Sequence, residues 1–274
     1  MEYRDLTTLY PAETPPQDDQ PVRISPVFGG IVGATLIAGY VTYRGNLPGA
    51  LTTLFYVLFV IGGWMISLSL HEFGHALVAY WGGDRSVVHK GYLTLNPFKY
   101  THAAYSIVLP LLYLAMGGIG LPGGAVYINY GAIRSKIKRG LVSVAGPAMT
   151  AVCAFVLLLP FITGIAESGA LTHRAFWSAV ALLAFLQITA VFFNLLPVPG
   201  FDGWGIIEMA LPDTLARRVR RMSGYTFILI FVLFMNDTFV SRGFWMLIVL
   251  VSSVMRLDFG LVSAGLDMLQ FWSG

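Results

Sequence analysis

One stretch constrains this chain more than any other. From about Ala50 to Trp81 the sequence is apolar, and Glu72 is its only charged residue. Those roughly 30 residues exceed what one bilayer crossing needs, so as a helix the segment must tilt or project beyond the lipid. Composition points the same way. Of 274 residues, 56% are hydrophobic and 11% charged, against about 45–50% and 25% in average soluble domains. Soluble, disordered and fibrous classes are set aside, and the chain reads as an integral membrane protein.

Five further apolar runs bring the expectation to an all-α polytopic protein of about six transmembrane helices. They cover about Pro26 to Tyr43, Leu141 to Ile165, Phe176 to Leu196, Tyr225 to Met235 and Phe244 to Val254, with an amphipathic C-terminus beyond. A shorter stretch, 104–120, is interrupted by Pro110 and Gly117-Gly118. It reads as a re-entrant or β-like hairpin between the second and third spans, with a short seventh span as the rival. Tyr92 to Leu95 and Ala125 to Ile128 read as β-prone. Residues 1–25 are a polar tail with no cleavable signal peptide, and 26–274 form a single membrane-embedded domain.

Basic residues sit in short clusters between the apolar runs. The net charge of +3 therefore reflects positive-inside loops rather than a nucleic-acid surface. If the loops at 84–99, 134–139 and 217–221 are all cytoplasmic, the run from Ala50 descends from outside to inside. The runs at 141–165 and 176–196 then form a hairpin with its 166–174 turn outside. Arg217 to Arg221 fall among anionic headgroups. The single cysteine, Cys153, excludes an intramolecular disulfide and a Cys-rich metal site.

Within the long run stands His71-Glu72-Phe73-Gly74-His75, the pattern H-E-x-x-H. On a helix, positions i and i+4 share a face, so both imidazoles can address one ion. Glu72 lies about 100° around the helix, beside the ligands, where it can take a proton from a water that the ion activates. The alternatives are a chance match, a proton relay and a polar packing cluster, although ionisable groups at membrane depth are costly without a function. A hydrolytic zinc site has three protein ligands and one open position. Asp202 is the candidate for the third, since it follows the Pro-Val-Pro-Gly break at the cytoplasmic end of its run. Its bland reading is an ordinary turn or an N-cap for a helix beginning near Trp204. His89, His102 and His173 read as loop residues.

H-E-x-x-H together with Asn194-x-x-Pro197-x-Pro199-x-x-Asp202-Gly203 resembles the site-2 protease family of intramembrane zinc metalloproteases, in its compact bacterial form without PDZ or CBS domain. Ala145-Gly146-Pro147 is similar to the family's Gly-Pro element, although Thr150 stands where many members have Asn. Gly91 to Pro97 resembles the loop after the first motif. The resemblance covers about residues 50–210.

The resemblance implies that His71, His75 and Asp202 hold one Zn2+ per chain and that Glu72 is the general base. It also implies that Asn194 contacts substrate backbone, or else hydrogen-bonds the helix broken by Pro197. The Gly-rich stretch Gly118 to Tyr130, with Gly123 and Gly124, can line the cavity and add a strand to an unwound substrate, or can be a plain hairpin. The implied activity is hydrolysis of peptide bonds in or near transmembrane segments of single-span proteins, in the bacterial inner membrane, with the site toward the cytoplasm. Release of a membrane-tethered regulator and clearance of signal-peptide remnants both fit. Two other readings stand beside it: a catalytically silent scaffold of the same fold, and an ion-coupled transporter, for which no inverted repeat is visible.

Overall fold

In the computed structural model the described residues are 22–100, 126–221, 225, 230, 232–234 and 238–270. Helix α1, Pro26–Arg44, starts where Ser25 accepts a hydrogen bond from Phe28 N at 3.1 Å and Pro26 fills the first turn, where its missing N–H costs nothing. Gly45 ends it at φ 61°. Helix α2, Gly49–Gly82, runs unbroken for 34 residues. At 1.5 Å per residue that is about 51 Å, well beyond a hydrocarbon core of about 30 Å.

The loop beyond α2 departs from the sequence reading. Tyr92–Thr94 is a 3-10 turn, not a strand. The residues on either side are left-handed, Gly91 at φ 72° and Leu95 at φ 57°, and the Thr94 hydroxyl donates back to Gly91 O at 2.6 Å. Such a bracket cannot extend. Tyr92 and Leu93 instead bury under the end of α2 beside Ala76, Ala79, Val87 and Ile133. No strand occurs among the described residues, and Val126 to Asn129 is irregular. The stretch 104–120 lies outside the described residues.

Helix α3, Lys136–Ile162, begins about a turn earlier than the apolar run suggests, because Ser135 caps it through Lys138 N. It stops at Thr163 before Gly164 at φ 79°, so the predicted end at Ile165 falls instead in a short separate helix, Ile165–Ala170. Helix α4, Arg174–Asn194, is the centre of the assembly. It packs against α1, α2 and α3 and against two later helices, α7, Phe239–Val254, and α8, Phe259–Leu269. Of its apolar stretch 78% is buried, against 22% for α1. Ala179, Ala181 and Ala184 let neighbours approach closely.

The described residues between α4 and α7 include two short helices, α5, Asp202–Glu208, and α6, Asp213–Arg220. Helices α7 and α8 meet at 115°, where Asp258 accepts from Gly260 N and Leu261 N to start α8. Tyr56 on α2 donates to Gly265 O on α8 at 2.7 Å. Four helices are long and apolar enough to cross a membrane, α1 to α4, and the bent α7–α8 pair makes five if it counts as one span. The described residues thus hold four or five such spans, and most of the predicted run from Tyr225 to Met235 lies outside them. Leu36, Ile37, Val152, Phe155, Val156, Leu250 and Val254 are exposed on the outer faces, as lipid-facing side chains must be.

Two clusters of buried side chains flank the functional stretch of α2. One holds Tyr56, Val60 and Trp64 with α4, α7 and α8; the other holds Ala76 and Ala79 with the 87–100 loop and Val142. His71 and His75 fall between them.

Candidate metal centre

Helix α2 stacks His71 and His75 one turn apart, with ring centroids 4.7 Å apart and planes at 80°. Each outer nitrogen is tied to α3. His71 Nδ1 is 2.9 Å from Thr150 Oγ1, and His75 Nδ1 is 2.7 Å from Val142 O. A carbonyl only accepts, so His75 donates its Nδ1–H and keeps an Nε2 lone pair. The two Nε2 atoms face each other at 3.1 Å.

Asp202 reaches them through the break after α4. Pro197 and Pro199 prevent the helix from continuing, and Gly200 turns the chain at φ 104°. Gly203 then lets α5 fold back, because a Cβ there would collide with the Leu195 and Leu196 carbonyls. The carboxylate straddles the pair, Oδ1 at 3.2 Å from His75 Nε2 and Oδ2 at 3.3 Å from His71 Nε2. It does not cap a helix: α5 begins at Asp202 itself, with Phe201 in the cap position and no side-chain cap bond.

Zinc fits these atoms. Ligands at about 2.0–2.1 Å from a tetrahedral ion stand about 3.3 Å apart; the two Nε2 atoms are 3.1 Å apart, and each lies 3.2 or 3.3 Å from a different oxygen of Asp202. Among the described residues, this is the one group of three His, Cys, Asp or Glu side chains close enough to hold an ion. Gly146 on α3 keeps the space open, since a Cβ on it would strike both His75 Nε2 and His71 Nε2.

Glu72 is 2% exposed and stands outside the triangle, as its position on the helix requires. Its Oε2 accepts from Val126 N at 3.0 Å. The segment that follows is anchored at Asp84, whose Oδ2 accepts from Asn129 N at 2.7 Å. Asn194, the last residue of α4, lines a cavity of about 30 Å³ with Trp64, Ser67, His71, Thr150 and Gln187. A larger cavity of about 330 Å³ opens on Asp202 between Arg139, Ser143, Trp204 and Glu208. Gly123 and Gly124 lie outside the described residues, as does His102. His173 stacks on Tyr43 at 3.7 Å, and His89 ends the short helix Ser86–His89; neither joins the triangle.

The sequence reading did not assign Val142 O, Val126 N or the contact from Thr150 to His71. Only Thr150 left a trace, four residues after Gly146 and hence on the same face of α3.

Membrane-length helices around an H-E-x-x-H pair closed by a carboxylate from a neighbouring helix define a membrane metalloprotease. Comparison with known proteins agrees. The chain is 40% identical over 257 residues, 93% of its length and 96% of the relative's, to a Mycolicibacterium smegmatis protein named "Putative zinc metalloprotease Rip2". A protein of the same name from Mycobacterium tuberculosis H37Rv is 38% identical over 92% of this chain and 95% of its own. "Putative zinc metalloprotease YwhC" of Bacillus subtilis is 31% identical over 63% of this chain and 78% of its own. No family model and no solved structure matches. The chain belongs to the site-2 protease family and is a membrane zinc metalloprotease.

Proposed function

We propose that this protein is an intramembrane endopeptidase that hydrolyses peptide bonds in or near transmembrane segments of single-span membrane proteins. The observation that carries the reading is the triangle of His71 Nε2, His75 Nε2 and an Asp202 oxygen, set beside a buried Glu72 on a helix of membrane-spanning length.

His71, His75 and Asp202 hold one zinc ion per chain. Zinc bound there polarises a peptide carbonyl and makes water nucleophilic near neutral pH. Glu72 is the general base: Val126 N–H holds its Oε2, which orients the carboxyl and leaves Oε1 to accept the proton of the attacking water. The same carboxyl then delivers that proton to the leaving amine nitrogen. Asn194 presents its amide to substrate backbone, in a cavity that also touches His71. Gly123 and Gly124 are the proposed contacts for the unwound segment.

The membrane is the bacterial inner membrane, and the site faces the cytoplasm. Support for that orientation comes from Lys136, Lys138 and Arg139 in the first turn of α3 and from Arg217, Arg218 and Arg221, exposed on and just after α6. Regulated intramembrane proteolysis, with release of the cleaved segment into the cytoplasm, is the biological role proposed; clearance of signal-peptide remnants fits the same chemistry.

The test is a comparison of membrane-protein fragments, by mass spectrometry, between cells carrying the wild type and cells carrying Glu72→Gln. The expected result is loss of a defined set of fragments in the variant, with intact single-span precursors accumulating. An unchanged fragment pattern overturns the assignment of Glu72.

A further inference from the structure

Thr150 is 3% exposed and lies between α3 and α2, where a polar group without a partner is costly. A hydroxyl has one proton to donate and two lone pairs. Thr150 Oγ1 is 3.3 Å from Gly146 O in its own helix and 2.9 Å from His71 Nδ1. Gly146 O can only accept, so it takes the hydroxyl proton and turns a Thr150 lone pair toward His71. In that arrangement a neutral His71 donates its Nδ1–H, and its Nε2 is left unprotonated, facing His75 Nε2 and Asp202.

We infer that Thr150 is a positioning residue that sets the tautomer and ring orientation of His71 for the metal. Gly146 is the other half of the device. One turn of α3 supplies both the gap that admits the two Nε2 atoms and the carbonyl that aims the Thr150 hydroxyl. The two histidines differ in consequence. His75 is oriented by a backbone carbonyl, Val142 O, which no side-chain substitution removes. His71 is oriented by a side chain and is the ligand that sequence change can tune. Outer partners of this kind typically change metal affinity 10–100-fold.

The inference rests on the zinc reading of the site, and the experiment separates the two. Zinc affinity of the purified full-length protein is measured by competition with a chromophoric chelator, alongside the visible absorption of the cobalt(II) form. Thr150→Val and Thr150→Ala are expected to bind zinc about 10–100-fold more weakly and to shift the cobalt bands. Thr150→Ser keeps the hydroxyl and is expected to stay within about threefold of wild type with unshifted bands. Wild-type affinity in the Val and Ala variants overturns the inference. So does a Ser variant that loses as much as Val, because packing of the methyl group would then be the cause. If circular dichroism shows that Val does not fold, the Ala and Ser pair decides. A wild type that binds no zinc removes the metal reading itself, and this inference with it.

Discussion

The Nε2 atoms of His71 and His75 stand 3.1 Å apart, each within 3.3 Å of an Asp202 oxygen. These four electron-rich atoms at that spacing suit a bound cation. Removing zinc should therefore loosen the junction of α2, α3 and α5. A ligand that binds only the folded state stabilises it by about 2.7 kcal/mol at 100 times its Kd. Thermal melts in detergent should fall after chelation and recover on adding zinc, with no such response in a His71→Ala/His75→Ala double variant. Superimposable melts with and without chelator would contradict the site.

Gly146→Ala is the smallest change that closes the centre. The added Cβ would strike both Nε2 atoms, while alanine is the best helix former. The variant should retain its helical content and lose stoichiometric zinc, as measured by elemental analysis. Full zinc occupancy in this variant would refute the geometry.

Asp202→Asn keeps the shape of the third ligand and removes its charge. Zinc affinity should drop at least about tenfold, as expected for a neutral oxygen replacing a carboxylate, and proteolysis should fall with it. An ion-coupled transporter would tolerate the change in its flux; wild-type cleavage by the variant would contradict Asp202 as a ligand.

Asp84 lies outside the centre and predicts a different phenotype. It is 1% exposed and accepts from Ser86 N, Ser86 Oγ and Asn129 N. Asp84→Ala leaves three part-buried donors, which water can still reach, without their acceptor, so at about 1 kcal/mol each the cost should be about 2–3 kcal/mol, seen as a lower midpoint of thermal unfolding. Because the anchored segment also carries the Val126 N–H that holds Glu72, proteolysis per folded molecule should fall while zinc content stays full. Loss of zinc together with activity would contradict this division of labour.

Much of the site is written in local sequence. The i, i+4 placement of His71 and His75 needs only an α-helix, and α2 is helical because nothing between Gly49 and Gly82 interrupts it. Asp202 stands out because acidic residues are rare, 14 in 274, and this one follows a proline-broken span. The apolar runs likewise mark α1, α2, α3 and α4 to within a few residues. Tyr92 to Leu95 shows the limit of such reading. Its side chains suit a strand, but two left-handed residues and a buried position under α2 made it a 3-10 turn. The partners of the histidines lie further still from any local signal. Val142 and Thr150 meet His75 and His71 across 67 and 79 residues of chain. Their identity as partners comes from how α3 packs on α2, a property of two surfaces. Residue order alone determined which side chains can bind a metal. The packing of three helices decided which lone pairs face it, because a hydrogen bond on the far side of a ring is made by whatever the fold brings there.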